Sequence, residues 1–123
     1  MQANPATRFN DCVNHADLHG LAELMTDDHR FVDAAGAVVR GKQACLAAWR
    51  GFFAAFPDYR NTFTSVATRG HVVVIEGCSV CAEPELAGPA LWTAIVEGER
   101  VAEWRVYEDT PATRAALGLA GPM

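Results

Sequence analysis

The sequence predicts an α+β domain in which helices pack on the concave face of a cone-shaped, curved antiparallel sheet. Three observations carry that expectation. Segments with helical spacing of apolar residues come first and segments with strand-like alternation follow them. The links between the later segments are short, which favours antiparallel neighbours. The length, 123 residues, suits one domain with its own core and no disulfide or metal support.

The elements follow in order. Asn4-Pro5 is a cap followed by a first-turn proline, and Phe9, Cys12, Val13 and Ala16 then recur at helical spacing. Asp17 is placed to cap a second helix with apolar positions Leu18, Leu21, Leu24 and Met25, stopping near Thr26-Asp27. Residues 29–33 read as a short strand, turned by Ala34-Ala35-Gly36 into another at 37–40. Over 42–56, Cys45, Ala48, Trp49, Phe52, Phe53 and Phe56 form the apolar face of a third helix, stopped by Pro57. Strands are expected at 59–68, 71–82, 90–96 and 100–109, separated by Gly70, the 84–89 loop and Glu97-Gly98-Glu99. Asp109-Thr110-Pro111 opens a last short helix ending at Gly118.

Half the residues are apolar, a fifth are charged and the net charge is -5, which argues against nucleic acid or another polyanion as partner. The start, Met1-Gln2-Ala3-Asn4-Pro5, lacks the basic and apolar blocks of a signal peptide, and no apolar run approaches a membrane-spanning length. A cytoplasmic protein without a membrane partner is expected. In a reducing compartment Cys12, Cys45, Cys78 and Cys81 read as free thiols. Cys78-Ser79-Val80-Cys81 has the form of a metal or redox pair, but residues three apart on a strand point to opposite faces, so the two sulfurs would not chelate together.

The chain resembles the nuclear transport factor 2-like superfamily, in its SnoaL-like and ketosteroid isomerase-like branch. The residues that carry the resemblance are Phe9-Asn10, Asp17-Leu18, Asp27-Asp28-His29-Arg30-Phe31-Val32-Asp33, Arg40-Gly41 and Phe56-Pro57-Asp58, then the strand from Val72 to Glu76, 101–109 and Leu117-Gly118. The resemblance implies a cystatin-like, nuclear transport factor 2-like cone with a hollow interior. It also implies Asp33, before the turn, as the position of the isomerase base. The isomerase tyrosine falls on Phe9 and its late-strand aspartic acid on or near Trp92, so neither oxyanion donor is kept. Epoxide hydrolases of this fold carry an Arg-x-Asp pair where Glu76-Gly77-Cys78 stands, and a further acid where Val106 follows Trp104-Arg105. SnoaL-like polyketide cyclases place their acid at that same last-strand position.

Asp33 ends an apolar strand facing an aromatic helix, where it is a general base in apolar surroundings or an acceptor for the amides of the 34–36 turn. On the last strand Ala102, Trp104, Val106 and Glu108 form the more apolar face and are expected inward. The 71–82 strand is apolar on both faces; the resemblance places Val74, Glu76 and Cys78 inside, making Glu76 an acid partner for Asp33 or, alternatively, an ion-paired or solvated residue. Phe9, Phe31, Trp49, Phe53, Trp92 and Trp104 complete the expected ligand-binding set, with core packing as the competing role. His15, His19, His29 and His71 are expected in surface or capping roles, His29 being near Asp33.

Two functions stay open: an isomerase- or cyclase-type enzyme moving a proton on an apolar carbonyl compound, and a non-catalytic carrier of a small hydrophobic ligand. Neither implies a cofactor or a metal. A homodimer is also expected, through the face of Thr62, Thr64, Val66 and Thr68 and the outer face of the last strand.

Overall fold

The computed structural model describes residues 4–119; Met1, Gln2 and Ala3 of the N-terminal stretch read above lie outside the described residues. In chain order the elements are α1 (Pro5–Asn14), α2 (Leu18–Leu24), β1 (Met25–Val32), β2 (Val38–Arg40), α3 (Lys42–Ala55), β3 (Arg60–Arg69), β4 (Val72–Val80), a 3₁₀ turn (Pro84–Leu86), β5 (Gly88–Glu97), β6 (Arg100–Glu108) and α4 (Pro111–Ala116). The strands form one curved sheet in the order β2-β1-β6-β5-β4-β3.

The caps behave as their residue types require. Asn4 accepts from the Thr7 amide at 2.9 Å, Asp17 from the Gly20 amide at 2.9 Å, and the Thr110 hydroxyl from the Thr113 amide at 3.1 Å. On α1 the buried positions are Ala6, Phe9, Asn10 and Val13, a single face at helical spacing. The strand β1 begins four residues earlier than its alternation indicates. Met25, which fits the apolar face of α2, is instead the first strand residue, paired with Val101 and 1% exposed.

Strands joined by short links are antiparallel: β1 with β2, and β3 through β6 in succession. The pairing of β1 with β6 is parallel, a correction to the all-antiparallel expectation. Those two strands are joined by most of the chain, so no short hairpin dictates their direction. The helices α1 to α3 and the concave face of the sheet enclose the core, which includes Phe9, Leu21, Trp49, Ile75, Trp92 and Trp104.

Register settles the face of β4. Ile75 pairs with Trp92, which pairs with Val106, and Val73 pairs with Ala94, which pairs with Trp104, so Val73 and Ile75 point inward. Val74, Glu76 and Cys78 therefore point outward, opposite to expectation. Outside, Glu76 meets the guanidinium of Arg114 on α4, which also binds both carboxylate oxygens of Asp109 at 2.6 and 2.8 Å. Those Arg114 hydrogen bonds hold the Asp109 carboxyl below the usual range. Arg69 of β3 donates to the Leu117 carbonyl at 2.7 Å, tying the end of α4 to the same outer face.

A β-bulge divides β3, because Phe63 pairs with Gly77 while Ser65 pairs with Glu76. Gly77 is required there: a Cβ would sit 2.2 Å from the Thr62 carbonyl oxygen. The bulge also breaks up the expected dimer face. Thr62 shares the outer side with Cys78, whereas Val66 and Thr68 turn to the side of Ile75 and Val73. All four cysteines are free, and burial pushes the Cys12 and Cys45 thiols upward, away from the reactive thiolate. Among the described residues, no helix is long and apolar enough to cross a membrane.

Candidate active site

Between α3 and the concave face of the sheet lies a cavity of about 570 Å³. Its walls are Phe31 from β1, Trp49 and Phe52 from α3, Trp92 from β5, and Trp104 and Val106 from β6. Aromatic packing fixes them: Trp49 meets Phe31 edge-on at 5.6 Å and Phe52 edge-on at 5.7 Å. Phe53 stacks on Trp49 at 5.4 Å and Phe9 on Trp104 at 4.5 Å. Phe53 and Phe9 thus support the walls from behind, a correction to their expected place in the lining.

Asp33 stands in the cavity lining, and so does Glu108, whose side is open to solvent. Of the two roles weighed for Asp33, the structure shows the acceptor of turn amides. Its Oδ1 accepts from the amides of Ala35 and Ala37, both at 2.9 Å, while its backbone N–H donates to the Ala37 carbonyl at 3.0 Å. Gly36, at φ 89°, lets the chain reverse there. Among the described residues Oδ2 has no hydrogen-bond partner, so one oxygen anchors the carboxylate and the other is left unpaired.

Glu76 and Cys78 are absent from the cavity, for the reason of register already given, and Glu76 is engaged by Arg114 on the far side of the sheet. Asp33 has no second acid beside it from β4. Among the described residues no three His, Cys, Asp or Glu side chains converge as metal ligands would.

Residues 6–120 match the family model of the SnoaL-like domain. The chain belongs to the SnoaL-like domain family. No curated protein matches it. Among solved structures, a candidate polyketide cyclase from Sinorhizobium meliloti superposes with a TM-score of 0.76 at 17% identity, covering 85% of this chain and 94% of that one. A protein of ketosteroid isomerase-like fold from Catenulispora acidiphila, solved with trimethylamine, gives 0.76 at 21% identity, covering 98% and 96%. An LEH-like epoxide hydrolase from M. tuberculosis gives 0.74 at 16% identity, covering 85% and 80%. At such identities the likeness is one of fold.

Three polar residues in the cavity of this SnoaL-like domain carry no sequence expectation of their own: Tyr59, Asn61 and Ser79. Ser79 donates to Asn61 Oδ1 at 2.8 Å, and the Tyr59 hydroxyl lies 3.2 Å from Ser79 Oγ. Asn61 is clamped from α1, its N–H donating to Asn14 Oδ1 at 2.7 Å and its carbonyl accepting from Asn14 at 2.9 Å. Asn14 thereby does for this edge strand what a neighbouring strand would do. The inward parity of β4 would have exposed Ser79 as a cavity residue, and with it the paired position Asn61.

His29 is also a correction. It is fully buried, stacked on Phe9 at 5.6 Å, with Nδ1 2.6 Å from the Val101 carbonyl. A carbonyl only accepts, so Nδ1 carries the proton and Nε2, buried without a partner, is a bare lone pair. Burial pushes the His29 imidazole below its ordinary range, partly offset by the bond to Val101. Below about pH 6.5 the unfolded chain gains a proton that the folded chain refuses. Stability from this group is therefore full above that pH and falls as the pH drops toward the depressed folded value. The melting temperature of the native protein should decline between neutral and mildly acidic buffer, and His29→Phe should flatten part of that slope. An unchanged slope would contradict the assignment.

Proposed function

We propose that this SnoaL-like protein binds a small, largely apolar carbonyl compound in the cavity and that Asp33 moves a proton on it, as an isomerase- or cyclase-type catalyst. What supports this is a carboxylate in the lining of an aromatic-walled hollow, with one oxygen held by two turn amides and no hydrogen bond to the other among the described residues. In the apolar hollow its Oδ2 takes a proton from carbon next to the carbonyl, and the resulting acid returns it to carbon, so a single group completes an isomerisation. A cavity of about 570 Å³ lies within the usual ~300–1,000 Å³ range of small-molecule pockets.

The second reading is a non-catalytic carrier, and one observation favours it. Phe9 offers no hydroxyl at the position of the family's tyrosine. Losing one strong oxyanion donor costs a catalyst about 3 kcal/mol. Incubation with small apolar ketones in D₂O separates the two readings. The enzyme raises exchange of α-protons above the buffer rate; a carrier raises the melting temperature with the same ketones and leaves exchange at the buffer rate.

Two copies are proposed to pair across the outer face of β6, where Arg105 lies over the Tyr107 ring at 5.4 Å and Tyr107 bonds Thr93 at 3.0 Å. Light scattering should return twice the chain mass; the mass of one chain rejects the pairing. A cytoplasmic location goes with this reading, and cell fractionation tests it.

A further inference from the structure

We propose that Tyr59 is the hydrogen-bond donor that anchors the oxygen of the ligand, its proton resting on Ser79 until a ligand takes it. The inference rests on the cavity being a ligand site, and it assigns the polar end of that ligand. Asn61 and Ser79 are only 3% and 5% exposed, and both line the cavity with Tyr59. Buried polar groups in such surroundings are kept where they are hydrogen-bonded or recognise something.

The proton count gives the group its direction. Ser79 has one hydroxyl proton and spends it on Asn61 Oδ1 at 2.8 Å. In the Tyr59–Ser79 contact the tyrosine must therefore donate. That contact, 3.2 Å, exceeds the usual ~2.7–2.8 Å for a hydroxyl pair, so the Tyr59 hydroxyl, which also interacts with Asn61, is held by Ser79 less tightly than in a short hydroxyl bond. Burial pushes the phenol up, which keeps that proton in place. The ring itself is fixed by an edge contact with Phe52 at 4.8 Å, and Asn61 by two asparagines of α1, Asn10 reaching its carbonyl at 3.2 Å and Asn14 at 2.9 Å. Tyr59 is thus a directed donor in a rigid mount.

Charge narrows the ligand further. The described lining contains the carboxylates of Asp33, Glu85 and Glu108 and no Lys, Arg or His. An anionic headgroup would meet repulsion with no counter-charge. A neutral carbonyl suits the donor and the charge together, and Tyr59, immediately before β3, supplies a donor that the α1 position of Phe9 does not.

The test uses two fluorescent probes, a propionyl-(dimethylamino)naphthalene and dimethylaminonaphthalene without the ketone. Emission of the first moves to the red when its carbonyl accepts a hydrogen bond. With the native chain both should bind. Tyr59→Phe should weaken the ketone by about three- to tenfold, the scale of one neutral hydrogen bond. It should also shift the bound ketone's emission to the blue and leave the probe without a carbonyl unaffected. Ser79→Ala removes the competing acceptor, so ketone binding should hold or tighten. Ketone affinity and emission unchanged by Tyr59→Phe, or a loss in Ser79→Ala as large as in Tyr59→Phe, would overturn the proposal while the cavity reading stands. Failure of both probes to bind the native chain would overturn the cavity reading and the anchor with it.

Discussion

Asp33→Asn is expected to slow ketone α-proton exchange by about a hundred- to ten-thousand-fold, the contribution of a positioned general base. Ketone affinity should change by less than about twofold, because an amide of the same shape fills the same space. The asparagine Oδ1 still accepts from the Ala35 and Ala37 amides, so the turn and the melting temperature should survive. Exchange rates and a melting curve on one preparation decide the matter. Lost stability with exchange intact would make Asp33 a turn residue only. No change in either measurement would favour the carrier.

Trp104→Ala carries the largest expected cost in stability, about 3–5 kcal/mol, the range for removing a buried aromatic side chain. Trp104 is 1% exposed, stacks on Phe9 at 4.5 Å and on Phe63 at 6.3 Å, and forms part of the cavity wall. Its removal strips contacts from both sides, and the hollow beside it offers nothing to collapse into the gap. Denaturant titration would show the loss as a lower midpoint with the slope nearly unchanged. A cost below about 1 kcal/mol would mean that the wall is not packed as described.

The helices, their caps and five of the expected wall positions were readable because each rests on a local rule. Asn4-Pro5, Asp17 and Thr110-Pro111 cap helices through bonds within three residues, and alternation in β6 already placed Trp104 and Val106 inward. Asp33 was readable for the same reason, since an aspartate before a glycine-containing turn has a local use. What misled was non-local. β4 is apolar on both sides, with Val74 4% exposed outward and Ile75 fully buried inward, so hydrophobicity carries no parity and the inferred alignment put Glu76 and Cys78 on the wrong side. The bulge opposite Gly77 is set by pairing between strands and breaks the Thr62 to Thr68 alternation. His29 looked polar by type, yet one bond to Val101, 72 positions away, makes its burial tolerable. Tyr59, Asn61 and Ser79 became a group only through the β3–β4 register.

A crystal structure of the protein soaked with the naphthyl ketone probes most directly whether a receptive hollow beside a single fixed acid is the working site. The expected density lies between Trp49 and Trp104, with the ketone oxygen in hydrogen-bond reach of Tyr59 and the carbon next to it facing Asp33 Oδ2. A hollow filled by its own tryptophans, or Asp33 turned to solvent with the ketone bound elsewhere, would contradict the account.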